Sequence, residues 1–298
     1  MCWSHANAAL ERAASQRVAA QPDDAQAVLA IALNALRAED AKRRNAAIGH
    51  AEVCLQRQPQ AAACHYALGA VLGVQAVSEG LFTLMGSVSR IRTALGEALA
   101  LAPTWFAARS AMVEFYLQAP GVVGGSASKA LETARAANAP QQVRALEARI
   151  TLHDKKYERT LLVLGELKAG EDSALDEDVR AWSRAAAFGL VNEKMGDKAR
   201  PFFERSMRER PAEALGAYGL ARVLADAGDH AQALKLLEQS AKLKGADELP
   251  LDYRAGITHQ ALGDKEAARA AFTRFINKGK GQETALNEAK KRLAQLGT

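Results

Sequence analysis

Aromatic residues are scarce, at 5% of 298 positions, while alanine crowds stretches such as 134–137 and 185–187. That combination leaves little strand-forming material and much that favours helix. Long apolar runs are missing: no window approaches the roughly 18 consecutive apolar residues of a membrane span. Three cysteines, Cys2, Cys54 and Cys64, lack the paired spacing of a zinc site, so no metal is expected. Nucleophile-elbow, Walker and zinc-protease patterns are absent, and no carboxylates pair at a telling spacing. No catalytic residue and no cofactor are therefore expected, and the chain reads as a non-enzyme.

A charge excess of one sign is also nearly lacking. The net charge of +5 is the small difference between 39 basic and 34 acidic residues spread along the chain. Residues 166–178 carry six acids against one lysine, and residues 198–210 and 278–292 are each +3. On helices such runs read as solvated faces, and neither basic segment alternates cations with aromatics as a base-stacking surface would. Nucleic acid is not an expected partner. The N-terminus has no signal-peptide pattern. Met1-Cys2-Trp3 leads straight into residues 5–18, which already have helical spacing. This reads as an exported chain without its leader, with a periplasmic location, or as a native cytoplasmic start.

What the sequence does contain is a repeat. From Ala214, the residues Leu220, Gly228, Ala233, Leu237 and Ser240 form a template that recurs from Leu251 as Gly256, Gly263, Ala268, Phe272 and Phe275. Gly228 and Gly263 are 35 residues apart, and an aspartate follows each. Upstream, Gly189, Gly196-Asp197, Ala199, Phe203, Ser206 and Pro211 fit once two residues are deleted after the turn. Pro22, Pro59 and Pro103 each close an apolar helical pattern, at intervals of 37 and 44 residues. The longer interval implies an insertion near 77–85. Gly-Asp at a turn supplies a left-handed C-cap and then an N-cap acceptor.

These residues resemble the tetratricopeptide repeat (TPR) family, whose unit is a helix pair with a small residue midway through each helix. Leu68-Gly69 matches the Leu-Gly pair of the first helix, Tyr116 its tyrosine, and Ala47, Ala130, Ala233 and Ala268 the small residue of the second. The resemblance covers residues 23–280. It implies an all-α fold, a right-handed superhelical solenoid of about seven helix pairs. We expect one solenoid over 1–298, with an N-terminal helix (1–22), N-terminal repeats (23–135), C-terminal repeats (136–280) and a capping helix (281–298). Within residues 62–135, the run Phe115-Tyr116-x-x-Ala119-Pro120, then Gly124-Gly125-x-x-x-Lys129-Ala130, is more particular. It resembles a bacterial exported TPR branch that includes the lipoprotein partner of TRAP-transporter binding subunits. That resemblance implies an exported, non-enzymatic, partner-binding protein, with a transport substrate-binding subunit as one partner class.

Candidate sites follow from both readings. Residues 119–125 are too long for a tight turn. Gly124 and Gly125 either turn the chain, with Ser126 capping the next helix, or present consecutive N–H groups to an anion with Lys129 one turn on. His65 reads as a hydrogen-bonded structural histidine, and Arg92 and Arg109 as partners of Glu97 or Glu114. Cys54 and Cys64 flank the Pro59 turn, where they either bridge or serve as small apolar core residues.

In a stacked solenoid the first helices of the pairs line the concave groove. The repeat offsets place Tyr66, Tyr218 and Tyr253 there in register. Polar company comes from Glu114, Gln118, Glu193, Lys194, Arg222, Asp226 and Gln260, and an apolar wall of Leu29, Leu33 and Leu36 stands beside Arg37. The expected function is a scaffold that binds a protein or peptide segment in this groove. The alternative is a small-anion binding or transport accessory protein of the cell envelope.

Overall fold

The computed structural model describes residues 2–37, 40–79, 81–168, 170–279 and 281–297, with side chains from residue 9 onward except those of 81–85. Among the described residues there are sixteen α-helices and no strand, and 80% of those residues are helical. Helix α1 (Cys2–Ala20) precedes seven pairs. These are α2 (Ala25–Leu36) with α3 (Ala41–Arg57), α4 (Ala62–Glu79) with α5 (Leu81–Leu101), and α6 (Phe106–Gln118) with α7 (Ala127–Arg135). Next come α8 (Pro140–His153) with α9 (Tyr157–Gly165), and α10 (Ser173–Asn192) with α11 (Gly196–Glu209). The last are α12 (Ala214–Asp226) with α13 (His230–Ser240) and α14 (Leu251–Ala261) with α15 (Lys265–Lys278), before α16 (Glu283–Gln295). The sequence expectation of about seven pairs is met, with α1 and α16 outside them.

The turn inside each C-terminal pair explains why the repeat holds its phase. Gly228 and Gly263 lie in the left-handed region at φ +89° and +81°, and Asp229 and Asp264 accept from the backbone N–H of Gln232 and Ala267 at 3.1 and 3.0 Å. One expectation needs correcting. Gly196-Asp197 is not the equivalent turn, because both residues already belong to α11. The left-handed residue is Lys194, at φ +63°, and in the pair before it Lys155, at φ +60°. Counted from Lys155, Lys194, Gly228 and Gly263, the fifth residue on is Thr160, Ala199, Ala233 or Ala268, each fully buried. The seventh residue back is Ala148, Ala187, Ala221 or Gly256, all buried. No deletion is needed. A lysine in this conformation gives up stability that glycine would keep. Lys155→Gly is therefore expected to raise the unfolding free energy by about 1 kcal/mol, measured by denaturant unfolding.

The chain divides into two compact units, unit 1 being Met1–Asp154 with Glu166–Arg180 and unit 2 being Lys155–Gly165 with Ala181–Thr298. In unit 1, Gly69 brings α4 onto α5 so closely that a Cβ there would stand 2.8 Å from Leu95 Cγ. The expected insertion is taken up as helix: α4 and α5 run 18 and 21 residues against 12 for α2. Gly80, within it, lies outside the described residues. Cys54 and Cys64 are joined in a disulfide between the end of α3 and the start of α4, with Cα atoms 6.3 Å apart. Of the leucines near the N-terminus, Leu29 and Leu36 pack against core clusters, whereas Leu33 is 41% exposed.

In unit 2 the same close approach recurs with aromatic rings. A Cβ at Gly219 would stand 2.0 Å from the Phe203 ring, and one at Gly256 would stand 2.7 Å from the ring of Phe272. Both phenylalanines are fully buried.

Candidate functional site

The first helices of the pairs carry the candidate residues, and each unit presents its own face. In unit 1, Tyr66 of α4 is 7% exposed, with its ring against Trp105 at 4.7 Å between centroids. Burial, reinforced by Asp178 and Glu177, pushes its hydroxyl up to about 12. Glu114 of α6 is bound by Arg149 of α8, whose Nη2 donates to Oε2 at 2.7 Å while Nε donates to the other oxygen. Gln118 is exposed at the end of α6. Glu114 therefore pairs with neither Arg92 nor Arg109. Arg109 is buried and donates to the carbonyls of Pro103 at 2.6 Å and Thr133 at 3.1 Å. His65 bonds the Pro59 carbonyl at 2.7 Å, a structural role.

One part of this face was not anticipated. The acidic stretch that opens α10 lies against it, and Ser110 Oγ donates to Asp178 Oδ2 at 2.6 Å. Arg37, which caps the C-terminus of α2, donates to both carboxylate oxygens of Glu177 at 2.8 and 3.1 Å. Gln142 donates to Asp172 at 3.1 Å. Burial pushes the Asp178 carboxyl up from 3.8 to about 6, with Glu114 and Glu177 adding to the rise and Ser110 and Arg149 opposing it. Folding thus favours the protonated acid. Its contribution to stability is fully present below about pH 4 and is lost as pH rises through about 6. Asp178→Asn is expected to abolish that component of the pH dependence in denaturation series between pH 4 and 8, and to be the more stable chain at pH 8.

The 119–125 loop does not form the anion cradle considered from sequence. The N–H of Gly124 donates to Gly121 O, that of Gly125 to Pro120 O, and that of Ser126 to Tyr116 O at 2.9 Å. Consecutive donors are present, but carbonyls of the loop and of the end of α6 use them. Gly125 is required because a Cβ there would fall 1.6 Å from Ala119 O. Ser126 caps α7 through the N–H of Lys129 at 3.3 Å, and Lys129 Nζ sits 6.0 Å from the Tyr116 ring centroid.

In unit 2, Tyr218 of α12 is 4% exposed, with its ring 5.8 Å from that of Phe188. Tyr253 of α14 is half-buried against Phe275 at 5.3 Å and Phe272 at 6.4 Å. The expected ladder of exposed tyrosines is thus corrected: the shared offset is real, but neighbouring aromatic rings cover Tyr66, Tyr218 and most of Tyr253. Lys194 and Asp226 pair at 2.7 Å, and Arg292 of α16 donates to Gln260 at 2.9 Å. Glu193, exposed, lines a hollow of about 500 Å³ around Tyr157 and Met195.

Arg222 and Arg254 stand out on this face. Arg222 lies over the Phe188 ring at 5.3 Å and donates to Asn192 Oδ1 at 2.8 Å. Burial, and then the charge of Arg254, hold its guanidinium below the usual arginine value, opposed by Tyr218 and by the Asp226 carboxylate. Arg254 lies over the Tyr253 ring at 5.4 Å, and its buried Nε has no hydrogen-bond partner. Two like charges are thus held together on aromatic rings with one donor unsatisfied, an arrangement that an acceptor-rich group would relieve.

No protein-family model matches the chain, and no curated protein matches it in sequence. Among solved structures it is similar to a tetratricopeptide repeat protein from Parabacteroides merdae, with TM-score 0.51 and 16% identity over 91% of this chain and 98% of that one. It is also similar to human IFIT1, solved as a dimer with PPP-AAAA, with TM-score 0.53 and 14% identity over 86% of this chain and 60% of that one. At these identities the likeness is one of fold, a tandem array of TPR-like helix pairs. Among the described residues, no helix is long and apolar enough to cross a membrane.

Proposed function

We propose that the protein is a non-enzymatic interaction scaffold that holds an acidic protein segment against the first helices of its C-terminal repeats. The observation that carries this reading is the Arg222–Arg254 pair, both backed by rings, with Arg222 desolvated and the Arg254 Nε short of an acceptor. A carboxylate of the bound segment pairs with the Arg222 and Arg254 guanidinium groups, and charge-assisted bonds of this kind are the stronger ones. The likeness to repeat folds that present extended binding surfaces supports a polypeptide as the ligand. The particular resemblance of residues 62–135 favours a binding subunit of a transport system as that partner, and the Cys54–Cys64 bridge favours an oxidising compartment such as the periplasm.

A panel of acidic peptides, matched by peptides with Asn and Gln in place of Asp and Glu, tests the reading by calorimetry and fluorescence anisotropy. The acidic set should bind, and Arg254→Ala should weaken it by about ten- to hundred-fold with circular dichroism unchanged. Equal binding of the neutral set, or an unaffected Arg254→Ala chain, contradicts the proposal. The small-anion alternative now rests on the same arginine pair rather than on the Gly124-Gly125 loop. It is favoured only if small dicarboxylates raise the melting temperature through Arg254 while no acidic peptide binds.

A further inference from the structure

We propose that the first two turns of α10 act as a built-in strap, occupying the first-helix face of unit 1 and closing it to an acidic amphipathic helix from a partner. A short stretch reaches helices of all four N-terminal pairs. Asp172 takes a hydrogen bond from Gln142 of α8, and Asp178 takes one from Ser110 of α6. Asp178 and Glu177 face the Tyr66 hydroxyl of α4, and Glu177 is bidentate to Arg37 at the end of α2. Leu175, 2% exposed, is the apolar anchor of the stretch. The occupant therefore has a readable chemistry: a helix N-terminus with an apolar residue followed three positions later by a carboxylate.

The attachment is reversible by design of its charges. Asp178 meets Tyr66 on α4, Glu114 on α6, Arg149 on α8 and its neighbour Glu177, whose charge Arg37 takes up. Arg149 is already engaged by both oxygens of Glu114. Ser110 is left as the group that donates to Asp178. A carboxylate so placed weakens the docking when ionised, and the acid form strengthens it. With the docked acid titrating near 6, the strap should hold about ten-fold tighter at pH 5 than at pH 7.5. A partner helix with an Arg- or Lys-compensated carboxylate would compete best at neutral pH. The strap lies within unit 1, and its test is independent of the ligand proposed for unit 2.

The experiment has two arms, both on the full chain. Hydrogen exchange, corrected for intrinsic rates, should show amides 176–180 opening about ten-fold more at pH 7.5 than at pH 5, while amides 184–192 of the same helix show no such difference. Second, a fluorescent peptide of residues 170–182 should bind the Leu175→Asp chain in trans and be excluded from the unaltered chain. Equal protection of 176–180 and 184–192 at both pH values overturns the proposal, because those turns are then ordinary core. So does a folded Leu175→Asp chain that leaves the peptide unbound. Should Leu175→Asp fail to fold, the exchange measurement on the unaltered chain decides alone.

Discussion

Gly219→Val is expected to lower the unfolding free energy by about 3 kcal/mol or more, the largest single effect anticipated in unit 2. Helix α12 meets α11 at this point, and even a bare Cβ would stand 2.0 Å from the ring of Phe203. That ring cannot swing clear, since it is fully buried and packed against Phe188 at 5.1 Å and Phe202 at 5.3 Å. The two helices must separate, and the contact that defines the pair goes with them. Gly228→Val provides the contrast. Nothing lies within 4 Å of a Cβ at Gly228, so its cost comes from φ +89° alone, about 1–2 kcal/mol. Urea denaturation of both variants, followed by circular dichroism, measures the difference. Equal losses would mean that turn conformation, and not the close approach of helices, sets the stability of a pair.

Loss of the Cys54–Cys64 bridge is the second large effect. The cysteines are 10 residues apart, and releasing a loop of that size costs about 3 kcal/mol in the chain-entropy description. Cys54→Ala with Cys64→Ala should lose that amount, and a reducing agent should lower the melting temperature of the unaltered chain but leave the double variant unmoved. The disulfide leaves neither sulfur as a thiol, so a maleimide reagent should label Cys54 and Cys64 only after reduction and unfolding, since both are fully buried. A double variant as stable as the unaltered chain would remove the physical argument for an oxidising compartment.

Most of the fold was legible because small residues and turn residues recur at fixed distances. Gly228-Asp229 and Gly263-Asp264 announced their turns, and Ala199, Ala233 and Ala268 announced the close approaches. Lys155 and Lys194 hid two further turns, since lysine in the left-handed region leaves no sequence signal. A repeat offset fixes the angle at which a side chain leaves its helix but says nothing of what covers it. Tyr66, Tyr218 and Tyr253 were aligned correctly and still lie under or beside other rings: Trp105 and Phe188 stand outside the template, and Phe275, though within it, carried no sign that it would meet Tyr253. The Gly124-Gly125 loop failed as an anion site for a related reason: donors are visible in a sequence, whereas the carbonyls of Pro120 and Tyr116 that capture them depend on how the loop curls. The acidic run 166–178 read as a solvated face. The signal that could have separated it was Leu175 set among Asp172, Asp176, Glu177 and Asp178, an apolar anchor within a charge run.

That the first helices of the C-terminal repeats engage a polypeptide is tested most directly by site-specific photocrosslinking in the cells that make the protein. A photoreactive residue at Asn192, exposed beside Arg222, is compared with one at Lys235, exposed on α13, the second helix of its pair. The account requires a discrete polypeptide adduct from position 192, lost when Arg254→Ala is added, and none from position 235. Adducts of equal yield from both positions, or an adduct at 192 indifferent to Arg254, would contradict it.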